Sequence, residues 1–177
     1  LHTVRQMLQR LQALSEKLLQ LARAESGIAW KSGAVDLKEL VELMCRDFQW
    51  RTGLQLELKL PVSTVIVQGD IDALGIVLTN LLENAIKYAT PGSPILIVLS
   101  TEPVEIRIIN DCDPISNQAL QRLHERFYRV RPDSRGAGLG LSIVRALLEP
   151  TSIHFSIHSP TGGVNRGFEG RLTWPSN

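Results

Sequence analysis

Residues 70–88 limit the fold more than any other stretch of the chain. After Asp70, apolar residues fall at Leu74, Val77, Leu78, Leu81, Leu82 and Ala85. They form one stripe on a helix, and a stripe that continuous must be buried against a second layer. The other side carries Asn80, Glu83, Asn84 and Lys87 at spacings of three and four. Those four therefore share one face. The chain must build a core on one side of this helix and keep a polar surface on the other.

The flanking segments supply that second layer. Leu54, Leu56, Leu58 and Leu60 alternate with polar residues, which predicts a half-buried strand. Further strands are expected over 64–67, 95–100, 104–109, 153–157 and 168–174. Asp36 reads as the N-cap of a helix running to Gln49. Another helix is expected over 139–149, stopped by Pro150. Residues 111–138 are polar, irregular and rich in arginine. A compact domain carries so long a loop mainly when the loop is functional. This order predicts an α/β fold: a two-layer sandwich of a mixed sheet with helices on one face.

Residues 1–25 contain no Gly or Pro, and Val4, Met7, Leu11, Leu14, Leu18 and Leu21 step by 3, 4, 3, 4, 3. That is a heptad seam, and Leu8 and Leu19 widen it as a four-helix bundle requires. A core helix of one globular domain is the plainer alternative. The bundle is favoured because no neighbouring helix pairs with this one in the sequence. Two glycines in residues 26–35 mark a linker. The expected organisation is a bundle helix over 1–25, a linker over 26–35, and one domain over 36–177 with a lid at about 111–138.

The balance of 19 basic against 18 acidic residues leaves a net charge of +1, so no strong field draws the chain to nucleic acid. Aromatic and basic residues do not interleave as they do in single-strand binders. Cys45 and Cys112 are far apart and form no CxxC, which reads as two free thiols. The longest apolar run, at 95–99, has strand length. No signal peptide is evident, and the chain starts without Met in mid-pattern. It reads as a piece of a longer protein, with a membrane span expected upstream.

Three groups of residues carry chemistry. In the first, amide oxygens of Asn80 and Asn84 with the Glu83 carboxylate suit Mg²⁺, which takes hard oxygen ligands and keeps several waters. Lys87, one turn on, suits phosphate. Alone, this spacing is more often a solvated helix face. In the second, Gly136, Gly138 and Gly140 open a helix, where bare amides and the helix dipole favour an anion. Alone, it reads equally well as a flexible helix start. The third is Glu125-Arg126-Phe127-Tyr128-Arg129. An aromatic anchor among arginines suits a lid, with Phe127 docked on the core and an arginine on the phosphates. Alone it is a basic loop.

In order and interval the three resemble the N box, F box and glycine-rich G2 box of the histidine-kinase catalytic domain, in the superfamily shared with gyrase and Hsp90. "NLLENAIKYA", "ERFYR" and "GAGLGLSIV" each look like that family's wording, and the resemblance covers about residues 1–174. It implies ATP held between the helix over 70–88 and the lid. Asn84 is implied as the main Mg²⁺ ligand, with Asn80 nearby and Glu83 orienting a water. Lys87, Tyr88 and Arg129 are implied to contact nucleotide, and Gly136, Gly138, Leu139, Gly140 and Leu141 to wrap the phosphates. The helix over 1–25 would match the second helix of a dimerising bundle. The phosphoacceptor histidine would then lie on a preceding helix outside this chain, and His2 reads as a surface residue.

The family's G1 box, Asp-x-Gly-x-Gly, has no glycine counterpart here. The strand over 104–109 runs into Asn110-Asp111-Cys112-Asp113-Pro114-Ile115. Counting back from Phe127 without a gap puts Asn110 at the adenine-binding aspartate; one deletion puts Asp111 there. Asn110 is preferred, since the strand alternation runs straight into it. Pro150-Thr151-Ser152 replaces the family's His-Gly-Gly turn. His154 and His158 read as a solvated strand face. His124 is given no role, and Cys112 is read as packing beside the adenine pocket.

The resemblance implies a cytoplasmic, homodimeric kinase portion of an inner-membrane sensor. It would pass the γ-phosphoryl of ATP to histidine and then to a response regulator. Two alternatives stand: an ATPase of the same superfamily, and a degenerate nucleotide-binding or dimerisation module without turnover.

Overall fold

The computed structural model describes residues 2–25, 31–130, 138–161 and 165–176. In chain order these form α1 (His2–Glu25), β1 (Gly33–Asp36), α2 (Leu37–Thr52), β2 (Leu56–Lys59), β3 (Ile66–Gly69) and α3 (Ile71–Tyr88). Then come β4 (Ile95–Thr101), β5 (Val104–Asn110), α4 (Asn117–Arg122), α5 (Gly140–Leu148), β6 (His154–His158) and β7 (Phe168–Thr173).

Both long helices of the domain start on aspartates, as their sequences dictate. The Asp36 carboxylate accepts from the N–H groups of Lys38 and Glu39, and that of Asp70 accepts from Asp72 and Ala73. Each satisfies donors that a helix start leaves open. Gly53 ends α2 at φ 67°, donating its N–H to Gln49 O.

Five strands lie in the order β2-β4-β5-β7-β6, with β2 and β4 parallel and the other pairs antiparallel. The sheet is mixed, as expected. Ile95, Ile97 and Leu99 of β4, Ile106 and Ile108 of β5, and Leu172 of β7 are buried with the apolar stripe of α3. The opposite face carries ion pairs, among them Glu105 with Arg107 and Glu169 with Arg171. One face is therefore apolar and covered by helices, and the other is charged, which yields the two-layer α/β sandwich.

Three details differ from the sequence reading. The last part of the expected linker is β1, which pairs antiparallel with β3 in a separate two-stranded ribbon. Leu58 is exposed, because β2 is an edge strand. The loop after β5 contains α4, capped by Ser116.

The seam of α1 is divided. Leu21 is buried against Leu139 and Ile143, and Leu14 packs on the same cluster. Met7, Leu8, Leu11, Leu18 and Leu19 are exposed. The C-terminal half of α1 thus rests on α5, a pairing between elements far apart in the sequence. Among the described residues no helix is long and apolar enough to cross a membrane.

Candidate functional site

The last turns of α3 leave the core as a polar surface. Asn80 is buried at 2% exposure, and its Nδ2 donates to Ile76 O at 2.8 Å. That bond leaves its Oδ1 facing outward from the helix backbone as an acceptor. Glu83 is exposed, and Asn84, Lys87 and Tyr88 are half-buried. Lys87 Nζ donates to Tyr88 Oη at 2.9 Å.

Facing this surface is the start of α5. Its N-cap residue is Leu139, which makes no side-chain capping bond. First-turn N–H groups without a capping side chain, at the positive end of the helix dipole, suit an anionic ligand. Gly138 approaches the lid closely at φ 70°: a Cβ there would lie 2.8 Å from Phe127 C and 2.9 Å from Tyr128 O. Phe127 N donates to Gly138 O at 3.0 Å, which joins lid and glycine turn through backbone alone.

One cavity gathers Asn80, Glu83, Asn84, Lys87 and Tyr88 from α3, Tyr128 and Arg129 from the lid, and Gly138, Leu139, Gly140 and Leu141 from the glycine turn. A second shares Asn84, Tyr88 and Leu123 with it. Its remaining lining includes Cys112, Pro114, Ile115, Val130 and Phe168. The two make one cleft with a polar lobe and a more apolar lobe. Such a cleft suits a ligand with an anionic tail and a flat apolar head.

Several expected site residues sit elsewhere. Phe127 does not dock on the core: it is 60% exposed at φ 63°, and its backbone is what meets Gly138 among the described residues. Asn110 and Asp111 line neither lobe. Asn110 has the inward register of Ile106 and Ile108, is 1% exposed, and pairs across the sheet with Phe168, which does line the apolar lobe. Its Oδ1 is buried without a hydrogen-bond partner among the described residues. The Asp111 carboxylate instead meets Arg166 Nε at 3.3 Å. Gly136 lies outside the described residues.

Sequence reasoning missed Lys17, Leu123 and Tyr128 in the polar lobe and most of the apolar lobe. Lys17 reaches in from α1, and its Nζ donates to Asn80 Oδ1 at 2.7 Å and to Glu83 Oε2 at 2.9 Å. Nothing local marks it, since its position depends on how α1 packs.

Among the described residues no group of three His, Cys, Asp or Glu side chains could hold a metal ion. A divalent cation in this cleft would rest on a few amide and carboxylate oxygens and on ligand phosphates, which is how Mg²⁺ is commonly held. Cys45 lies in the core, where burial pushes its thiol up to about 11 and so keeps it protonated at neutral pH.

Residues 69–176 match the family model described as histidine kinase-, DNA gyrase B-, and HSP90-like ATPase. The chain belongs to this family. It is 36% identical over 163 residues to the signal transduction histidine-protein kinase BaeS of Escherichia coli (strain K12), covering 86% of this chain and 35% of that protein. It is 38% identical over 153 residues to the swarming motility regulation sensor protein RssA of Serratia marcescens, covering 82% and 33%. The chain thus spans about a third of the length of these curated relatives. Its fold matches full-length ShkA, solved in complex with AMPPNP, at a TM-score of 0.78 with 23% identity. That match covers 98% of this chain and 37% of the other. The family's mixed-sheet fold and its ATP-binding class therefore apply to this chain.

Proposed function

We propose that the chain is the ATP-binding catalytic portion of a sensor histidine kinase. It would pass the γ-phosphoryl of ATP to a histidine on a dimerising bundle, for relay to a response regulator. The observation that carries this reading is the two-lobed cleft. Its polar lobe sets the amides, carboxylate and ammonium of α3 against the start of α5, and its apolar lobe runs on from the same residues.

The site fits the group. The unpartnered Oδ1 of Asn110, whose neighbour across the sheet, Phe168, lines the apolar lobe, would accept from the adenine amino group. Gly138 lets the glycine turn approach the lid backbone more closely than a Cβ would allow. Mg²⁺ bound with ATP would neutralise charge on the phosphates. Asn84 and Asn80 would offer it oxygens, and Glu83 would orient a water in the lobe. Lys87 and Arg129 would meet phosphate charge, Tyr88 would border the nucleotide, and Gly138, Leu139, Gly140 and Leu141 would offer amides. The chain's contribution is positioning and charge compensation rather than covalent chemistry.

The intact protein is read as a homodimer through the seam of α1, acting as the cytoplasmic portion of an inner-membrane sensor. No nucleic-acid partner is proposed. Calorimetric titration with ATP and excess Mg²⁺ tests the reading. Binding in the micromolar-to-millimolar range, lost in Asn84→Ala, is expected. No heat from the folded wild type or from Lys17→Met would point instead to a degenerate module. Steady phosphate release without any acceptor would favour the ATPase alternative.

A further inference from the structure

α1 touches the cleft at three places. Leu21 is 5% exposed and sits on Leu139 and Ile143, at the start of α5. Glu25, the last residue of α1, pairs with Arg126 of the lid. One turn before Leu21, Lys17 enters the polar lobe and bonds Asn80 Oδ1 and Glu83 Oε2, with its side chain only 24% exposed. Leu14, Lys17 and Leu21 fall at steps of three and four, so one face of α1 makes the whole contact.

Of the two oxygens that hold the Lys17 ammonium, Asn80 Oδ1 belongs to the set offered to a divalent cation, and Glu83 Oε2 belongs to the carboxylate that would orient a water beside it. An ammonium donates three hydrogen bonds and carries one positive charge, so it satisfies those acceptors as a cation would. We propose that Lys17 makes α1 a lock on the cleft: its ammonium occupies the Asn80 and Glu83 oxygens. Docking of α1 and filling of the polar lobe by a cation-bearing nucleotide then exclude each other. This rests on the nucleotide reading above and adds a regulatory residue to it.

Two features make the exclusion two-way. Positive charges sharing Asn80 Oδ1 repel, and the partly buried site screens them poorly. Coupling between two binding events is reciprocal, so whatever factor α1 takes from nucleotide affinity, nucleotide takes from α1 docking. The apolar contact of Leu21 and the Glu25–Arg126 pair are not part of the cation's oxygen set. They favour docking whenever the lobe is empty.

The test uses the whole chain with ATP and excess Mg²⁺. Affinity is measured by calorimetry, and amide hydrogen exchange is followed along residues 14–25, for wild type, Lys17→Met and Leu21→Ala. Lys17→Met keeps an apolar stem of similar length and removes the charge. The expected results are tighter Mg-ATP binding in Lys17→Met, by about five-fold or more, and faster exchange along α1 without ligand. Saturating Mg-ATP should speed α1 exchange in the wild type, and Leu21→Ala should change affinity in the same direction as Lys17→Met. Binding by Lys17→Met alone would support the lock in its strongest form. Equal or weaker binding in Lys17→Met, with Asn84→Ala still abolishing it, would overturn the lock and leave the nucleotide reading standing. No binding by any variant would overturn both.

Discussion

Asn110 is the residue whose chemistry departs furthest from its neighbours. It continues the inward register of Ile106 and Ile108 yet ends in an acceptor with no partner among the described residues. A carboxylate there would accept from an adenine amino group with added charge assistance. It would also be buried and unpaired in the free protein. Asn110→Asp should therefore lower the melting temperature of the free chain while tightening Mg-ATP binding several-fold. Thermal unfolding with and without nucleotide reads both. Asp70 gives a second residue-scale prediction. Burial pushes its carboxyl up, but the N–H groups of Ala73, Lys31 and Asp72 and the Lys31 charge outweigh burial and hold it below the usual range. A group depressed on folding stabilises above its unfolded pKa, near 4, and loses that contribution as pH falls through the folded value. Asp70→Ala should cost about 1 kcal/mol at neutral pH. In urea melts the gap from wild type should close as the pH drops below about 4.

At the scale of elements, legibility followed how local each element's causes are. α3 was readable almost to the residue, because its cap, stripe and polar face all lie within residues 70–88. β1 was not: its four residues include a glycine, and only pairing with β3 makes them a strand. α4 spans six residues, too short for periodicity to show. The lid was expected to anchor through the Phe127 ring, but the anchor is backbone, Phe127 N on Gly138 O. That bond is silent in a sequence, though the glycine it needs is not. Gly138→Ala combines a φ of 70° with a Cβ 2.8 Å from backbone. It should displace the lid, and tenfold or greater loss of Mg-ATP affinity with little change in far-ultraviolet circular dichroism is the expected outcome. Unchanged affinity would show that the lid does not depend on this contact.

Across the whole molecule, the sequence disclosed the layers but not their order. The segments of β4, β5 and β7 were legible as strands, whereas the order β2-β4-β5-β7-β6 depends on contacts between distant segments. The candidate site shows the same division. The α3 face and the glycine turn were visible as spacings, and both line one cavity. Lys17 and Phe168 reach the cleft only through tertiary packing, one by way of α1 and the other by way of β7.

The divided seam of α1 has a consequence in mass action. Leu14 and Leu21 belong to the same 3-4 repeat as Met7, Leu11 and Leu18, and they are spent on the chain's own α5. A partner helix that used the full repeat would have to take them back, and Lys17 would leave with them. Self-association and self-contact then draw on one surface, so crowding the solution with this protein should act on it like a ligand. Apparent Mg-ATP affinity should rise with protein concentration in the wild type and be flat in Lys17→Met. Titrations at micromolar and at several hundred micromolar protein distinguish the two.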